Sequence, residues 1–335
     1  MYFAKTMLRK GEIIKAYLVK NNLLNQDYHT EKDKTALYYP LKRKAKLPKY
    51  AELVEKNPRK KSRITTLRQA LKTKLTKEEF GGLKTAYDLV GETAILEIPG
   101  ELEKKEKLIA DTLLKINKNI KTVLKKSGIH EGEFRTQKLK FLAGKNTKVA
   151  EYRENNVRLK LDLEKVYFSA RSSTERKRIS KLIKQDENIL VMFSGCAPYP
   201  VVISKNTRAK HITGIEINPV AHKFAMENVK LNKLKNIKLI NADVITAMPK
   251  EKFDRILMPL PKSAGDFLDL ALRSIKDKGM IHFYEFLRSD EIPDAVKKIE
   301  TACKKENKTC KLRRITRCGQ FSPYVFRVCI DIRLT

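Results

Sequence analysis

The residues best suited to chemistry in this sequence stand at the ends of three apolar runs. The first, Ile189-Leu190-Val191-Met192-Phe193, passes directly into Ser194-Gly195-Cys196-Ala197-Pro198. The second, Ile212-Thr213-Gly214-Ile215, ends at Glu216 with Asn218-Pro219 behind it, and the third, Ile237 to Ile240, delivers Asn241-Ala242-Asp243. Each run reads as a buried parallel strand, and each ending has its own use. Glycine lets the backbone turn tightly and come close to a ligand. A carboxylate at the tip of the second strand takes a ribose diol, and an acid at the third accepts a hydrogen bond from an adenine amino group. Their order fits the rule that ligands bind outside the carboxyl ends of an open α/β sheet. The missing third glycine of G-x-G-x-x-G argues against a dinucleotide. The ligand these segments describe is S-adenosylmethionine, with Phe193, Gly195, Glu216, Asn218 and Asp243 as candidate contacts.

A fourth run, Phe253 to Met258, ends in Pro259-Leu260-Pro261-Lys262. Enzymes that methylate a base nitrogen often carry a short proline-rich loop at this place. Proline fixes the backbone, and the loop carbonyls can then accept hydrogen bonds from an exocyclic amine. Pro259 and Pro261 are therefore candidates beside the methyl acceptor, Pro261 also bordering the cofactor. None of the five histidines sits in a hydrolase-type arrangement, so a nucleophilic triad is excluded. Cys196, Cys303, Cys310, Cys318 and Cys329 form no C-x-x-C pair and have no histidine at metal-ligand spacing. No metal is expected, and the five read as free thiols of a reducing cytoplasm.

Positioning these groups takes an alternation of strands and helices, with helices expected at Ser173 to Ile183, Ala221 to Asn232 and Ala264 to Ile275, a strand at Gly279 to Phe286, and a closing strand pair within Ser322 to Arg333. Ahead of this α/β part, Thr85 to Pro99 reads as strand, turn, strand, followed by a helix at Glu101 to Lys115 and a strand at Thr122 to Lys125. Gly132 to Arg135, Lys138 to Ala143, Thr147 to Arg153 and Val157 to Leu163 then alternate as one half-buried antiparallel sheet. The start of the chain is Lys-rich, with a helix over Gly11 to Leu24, a short strand over Ala36 to Leu41 and a basic loop at Asn57-Pro58-Arg59-Lys60-Lys61. The expected domains are 1–75, an N-terminal unit that either contacts RNA or packs as an added module; 76–178, a middle α+β domain; and 179–335, a Rossmann-like α/β domain. Lys plus Arg number 72 against 39 Asp plus Glu, a net charge of +33 that points to a polyanionic partner. No apolar stretch reaches the length of a membrane span, and Met1 to Lys10 lacks the apolar core of a signal peptide.

Several segments together carry a resemblance. They are Ala86-Tyr87-Asp88-Leu89-Val90-Gly91-Glu92, Gly132-Glu133-Phe134-Arg135, Val166-Tyr167-Phe168-Ser169-Ala170-Arg171-Ser172-Ser173-Thr174-Glu175-Arg176, the Met258 to Lys262 loop and Ile281-His282-Phe283-Tyr284. Over nearly its whole length the chain resembles the archaeal and eukaryotic type of tRNA guanine-37 methyltransferase, which works beside the anticodon. The segment from Tyr167 to Arg176 is the most specific, because common methyltransferases lack it. The resemblance implies an N-terminal domain docking on the outer corner of tRNA, a middle domain, and a class I methyltransferase domain. It implies Glu175 as general base, Arg135 on the guanine oxygen, and Tyr167, Glu216 and Asp243 on the cofactor. The chemistry is coherent, since guanine N1 cannot attack a methyl sulfonium until its proton leaves, and a cation at O6 stabilises the charge that then develops. Taken alone, Glu175 would be an ordinary carboxylate at a helix N-terminus. Tyr167, Phe168 and Tyr284 are candidates to stack on a base, with core packing the alternative for Phe168, and Arg135, Arg171 and Arg176 are candidate RNA contacts.

The Pro259-Leu260-Pro261 form looks like the wyosine-pathway branch of that family, whose members methylate C7 of 4-demethylwyosine at position 37 of tRNA(Phe), with or without guanine N1 activity. The expected function is S-adenosylmethionine-dependent methylation at position 37 of tRNA, with tRNA(Phe) as substrate, by a cytoplasmic monomer. Another RNA or DNA base methyltransferase, or a non-catalytic RNA-binding protein that kept the fold, remain open alternatives.

Overall fold

A computed structural model describes residues 1–60, 66–128 and 132–335. Lys61, the last residue of the expected basic loop, lies outside them. The chain divides into two compact units, Met1–Gln69 and Ala70–Thr335. In the first, Glu31–Lys32, Ala36–Pro40, Tyr2–Met7 and Glu52–Glu55 form a four-stranded antiparallel sheet in that order. The helix Gly11–Lys20 lays Ile14 and Leu18 into a core with Leu23, Tyr39 and Leu41. It stops short of the expected Leu24 because Asn22 turns left-handed, at φ 52°, and the Leu23 amide closes on the Leu18 carbonyl at 2.8 Å.

The second unit opens with a four-stranded sheet, Tyr87–Val90, Thr93–Leu96, Thr122–Lys126 and Leu139–Gly144, in which the helix Glu106–Ile116 makes the crossover between the two parallel central strands. The single antiparallel sheet expected from 132 to 163 is instead split. Gly132 and Arg135 have φ of 70° and 51°, which makes their segment a turn, and Leu139–Gly144 joins the first sheet. Val149–Glu154 and Val157–Asp162 form a hairpin of their own, turning at Asn155-Asn156, both left-handed as a two-residue hairpin turn requires.

That hairpin is completed by side chains. The Lys160 amide donates to Asn228 Oδ1 at 2.6 Å and the Arg158 amide to Asn232 Oδ1 at 2.9 Å. The same two asparagines return bonds to the Lys160 and Arg158 carbonyls at 3.0 and 2.6 Å. Two amides on the helix Pro219–Leu231 and its cap thus occupy polar groups that a further strand would otherwise pair.

The largest sheet has seven strands in the order Ile237–Asn241, His211–Glu216, Asn188–Val191, Phe253–Met258, Ile275–Leu287, Val325–Leu334, Cys310–Ser322. The first five run parallel and the last two pair antiparallel, the class I methyltransferase arrangement. Leu190 and Met192 face one core layer while Ile189 and Val191 face the other, which is why the first run is apolar without alternation. Its strand ends at Val191, since Phe193 has already turned to φ 55°. The closing pair is longer than expected, reaching back to Cys310 and turning at Pro323-Tyr324, and the helix Ile292–Lys305 ahead of it adds to the core through Ala295, Ile299 and Cys303. All five cysteines are unpaired. Among the described residues no helix is long and apolar enough to cross a membrane.

Candidate active site

The chain reverses its winding about Asn188–Val191, and a cavity of about 450 Å³ opens there. Phe193, Gly195 and Ala197 all adopt left-handed backbone, at φ 55°, 57° and 61°. At the two non-glycine positions that conformation costs roughly 1–2 kcal/mol each, and it winds the turn so that its amides face the second strand. The Gly195 amide donates to Glu216 Oε2 at 2.7 Å, and the Asn218 amide to Oε1 at 2.8 Å. Burial raises the Glu216 pKa, and these two bonds oppose the rise. Asn218 also borders the cavity, but its side chain is committed: Oδ1 accepts from the Val220 and Ala221 amides to cap the helix, and Nδ2 donates to the Lys165 carbonyl. Asp243 accepts from the Ile245 amide with Oδ1, and among the described residues its other oxygen has no partner.

At the opposite end, the loop after Phe253–Met258 is pinned through its carbonyls. Met258 accepts from the Leu260 amide at 2.8 Å, Leu260 from the Ala264 amide at 2.9 Å, and Pro261 from the Phe286 amide at 3.1 Å. Among the described residues the Pro259 carbonyl accepts nothing. Arg135 reaches across from its turn and donates to Ser263 Oγ at 3.0 Å, its guanidinium pKa lowered by burial. Tyr167 borders the same space, its hydroxyl taking a bond from Arg327 Nη2 at 3.2 Å, while Arg327 also donates to Ser172 Oγ.

Glu175 is 3 % exposed and does not border the cavity. Arg178 forks onto both its oxygens at 2.7 and 2.8 Å, and Tyr284 donates to Oε1 at 2.7 Å. Tyr284 does border the cavity, as does Tyr199, whose hydroxyl donates to that of Tyr284 at 3.2 Å. Behind Arg178 the chain of charges continues. Asp331 accepts from Arg178 at 2.7 Å and from His282 Nδ1 at 2.6 Å, His282 Nε2 accepts from Arg255, and Arg255 forks onto Glu187. Arg255 can only donate, so His282 Nε2 is the acceptor and the ring carries its proton on Nδ1 toward Asp331, while burial lowers the ring's pKa. Burial alone would raise the pKa of Asp331, yet its bonds from His282 and Arg178 hold it well below the usual carboxylate range. His282, Cys329 and Asp331 lie close enough to share an ion, but both ring nitrogens of His282 are engaged in this chain.

Two expectations change with these positions. Arg176 is 2 % exposed and forks onto Glu154 at 2.5 and 2.7 Å, with its guanidinium 5.2 Å from the Phe168 ring centre. It is a neutralised cation within the cavity wall, out of reach of a phosphate. Tyr284 is too deeply buried to stack on a base, and Phe168 packs edge-on against Tyr152 at 5.3 Å. Arg171 is exposed and paired with Asp88. Tyr199, Arg178 and Arg327 escaped the sequence reading. Arg178 had a signal in its i,i+3 spacing from Glu175, whereas Arg327 lies 160 residues from Tyr167 and had none.

A family model described as the TRM5/TYW2 methyltransferase domain matches residues 150–312, and one for the TYW2 N-terminal domain matches residues 67–147. Across 84 % of its length the chain is 37 % identical to 83 % of a Pyrococcus abyssi protein named tRNA (guanine(37)-N(1))-methyltransferase Trm5b. The chain belongs to the TRM5/TYW2 methyltransferase family. Within it, a Nanoarchaeum equitans relative named tRNA (guanine(37)-N(1))/4-demethylwyosine(37)-methyltransferase Taw22 is 35 % identical over 64 % of this chain and 88 % of its own. A Methanocaldococcus jannaschii member, named as a tRNA(Phe) 4-demethylwyosine aminocarboxypropyltransferase, is 28 % identical over 74 % of this chain and 97 % of its own. Among solved TRM5/TYW2 structures, the complex of aTrm5 with tRNALeu superposes over all of both chains with a TM-score of 0.74 at 33 % identity. As a TRM5/TYW2 member this is an S-adenosylmethionine-dependent tRNA-modifying enzyme, and the donor set fits that cofactor: a buried carboxylate beside a left-handed glycine turn, and an unpaired Asp243 oxygen beyond it.

Proposed function

We propose that this enzyme methylates nucleotide 37 of tRNA, at guanine N1, at C7 of 4-demethylwyosine, or at both, with tRNA(Phe) as substrate. One observation carries the reading: the cavity that holds the cofactor residues also holds Arg135, Tyr284 and an unpaired proline carbonyl, the groups a guanine-like base needs. Glu216 would hold the ribose hydroxyls, Asp243 the adenine amino group, and Phe193, Gly195, Asn218, Tyr167 and Pro261 the cavity walls around them. When bound, S-adenosylmethionine supplies an electrophilic methyl group on a sulfonium.

The chain's own residues prepare the acceptor. Arg135 donates to O6 and stabilises the charge that appears as N1 loses its proton. The Pro259 carbonyl accepts from the exocyclic amine, and the rigid proline ring beside it offers an apolar wall suited to a flat tricycle. The proton does not reach Glu175 directly, since Glu175 lies behind Tyr284. Tyr284 Oη takes the N1 proton while giving its own to Glu175, so no net charge is left on the tyrosine. Arg178, fixed by Asp331, holds Glu175 for this transfer.

The N-terminal residues 1–75 dock on the tRNA, the middle residues 76–178 supply Arg135 and Tyr167, and residues 179–335 bind the cofactor. The acting form is a monomer, and the cytoplasm suits five unpaired thiols. The test is to incubate the enzyme with tRNA(Phe) carrying guanosine or 4-demethylwyosine at position 37, using S-adenosylmethionine labelled either in the methyl group or in the aminocarboxypropyl arm. Methyl label on either nucleoside supports the reading. Label from the other arm would move the protein to the aminocarboxypropyl side of its family, and label on neither would refute a position-37 activity.

A further inference from the structure

The final hairpin holds a surface that the methyl-transfer chemistry leaves unused. Cys310–Ser322 is the edge strand of the catalytic sheet, and most of its residues are exposed. No Asp or Glu occurs between Glu306 and Asp331, while Lys311, Arg313, Arg314 and Arg317 all point a charge outward, and among the described residues none of them is in a salt bridge. Lysines and arginines along an edge strand also protect it against pairing with another sheet. Protection does not explain the aromatic tip, where Tyr324 is 80 % and Phe321 57 % exposed, because large exposed apolar groups on an edge favour association.

The aromatic tip is continuous with the active site. Phe321 stacks on Phe286 with ring centres 4.1 Å apart, and the Phe286 amide holds the Pro261 carbonyl of the acceptor loop. The Arg327 guanidinium lies 5.7 Å from the other end of that contact, the Phe286 ring centre, and from there it reaches the cavity edge at Tyr167 and Ser172. Among the described residues its buried Nε has no hydrogen-bond partner. Cations interleaved with exposed rings are the composition that grips unpaired nucleotides, the rings stacking on bases and the cations following the phosphates.

We propose that the Cys310–Leu334 hairpin is a binding platform for the single-stranded nucleotides that flank the target base, with Phe321 and Tyr324 as stacking residues and the arginines of the edge strand on the phosphates. The inference rests on the RNA reading above and adds to it where the loop is held. It also gives the enzyme a way to draw the target nucleotide out of its loop, because neighbours stacked on protein no longer stack on the target.

The test uses the full chain, a fluorescently labelled anticodon stem-loop RNA, and two multiple variants, Phe321→Ala with Tyr324→Ala, and Arg313→Gln with Arg314→Gln and Arg317→Gln. The aromatic variant should lose roughly tenfold or more in affinity for the stem-loop, with little change in the salt dependence. The arginine variant should lose affinity together with a shallower slope of log affinity against log salt, by up to about 0.7 per contact removed for single-stranded RNA. Calorimetric binding of S-adenosylmethionine and the melting temperature, unchanged in both, establish that the fold is intact. Wild-type affinity in a folded aromatic variant overturns the platform. So does a wild-type dimer that the variant turns to monomer with RNA binding unaltered, which would make the hairpin a protein interface. Wild-type protein that binds no tRNA at all would instead refute the functional reading beneath it.

Discussion

Glu216 shows how one side chain can link fold to cofactor, since the carboxylate that ties the glycine turn to the second strand is the one proposed to take the ribose hydroxyls. Glu216→Ala should weaken S-adenosylmethionine binding by about 1.5–3 kcal/mol, the usual worth of a hydrogen bond to a charged group, and calorimetry that finds no loss would remove the assignment. Tyr284→Phe tests the proton path. It keeps the ring and deletes the bond to Glu175, so single-turnover methylation at guanine N1 should fall by on the order of 10²-fold, within the range of general acid–base effects. Methylation at C7 of the tricycle should fall much less, because there the carbon attacks before its proton leaves. Equal losses on both substrates would reduce Tyr284 to a packing residue. Pro259→Asn belongs to the same comparison: a side-chain amide in place of a lone carbonyl should shift the ratio toward guanine N1. The cofactor half of this site was legible because strand-end chemistry is local in sequence. The Tyr284–Glu175 bond behind the proposed proton path was not, for the two residues stand 109 apart in sequence, and only the fold shows Tyr284 between Glu175 and the cavity.

Secondary-structure elements place these residues through polar side chains as much as through apolar ones. The Arg178–Asp331–His282–Arg255 chain ties the helix Ser173–Ser180 to three strands of the catalytic sheet. Because the pKa of Asp331 is depressed in the fold, its ionisation contributes stability that is fully present above the unfolded carboxylate value of about 3.9 and is lost as pH falls below it. Asp331→Asn should therefore lower stability at neutral pH by roughly 3–5 kcal/mol, the typical cost of leaving a buried partner charge unpaired, and should also flatten the acid limb of melting temperature against pH. An unchanged acid limb would mean that another group governs it. Short apolar runs with clear ends, such as Ile237–Asn241 and Phe253–Met258, were readable. The split of residues 132–163 into two sheets was not, since alternation marks strands without naming their partners, and the partners of Val157–Asp162 turn out to include asparagines on a helix.

For the whole molecule the deciding quantity is the net charge of +33, which was legible from composition alone, although its division between surfaces was not. Arg176 shows the difference, a cation in the count whose guanidinium is taken up inside the fold by Glu154 and the Ser169 carbonyl. The cations that remain exposed should bind phosphates by releasing counterions, and log tRNA affinity should then fall linearly with log salt, each phosphate contact adding about 0.7–0.9 to the slope. The unit Met1–Gln69 has its own sheet and core and carries part of that charge. Removing it should lower tRNA affinity and shallow the slope, while S-adenosylmethionine affinity stays at the full-length value, because every cavity residue lies in Ala70–Thr335. Filter binding of tRNA at several salt concentrations, with calorimetry on the same preparations, measures both. A flat salt dependence in the full chain would contradict the electrostatic account. A truncated protein that binds tRNA as tightly as the whole would leave its N-terminal unit a packing module, and would put the entire RNA surface on the catalytic half.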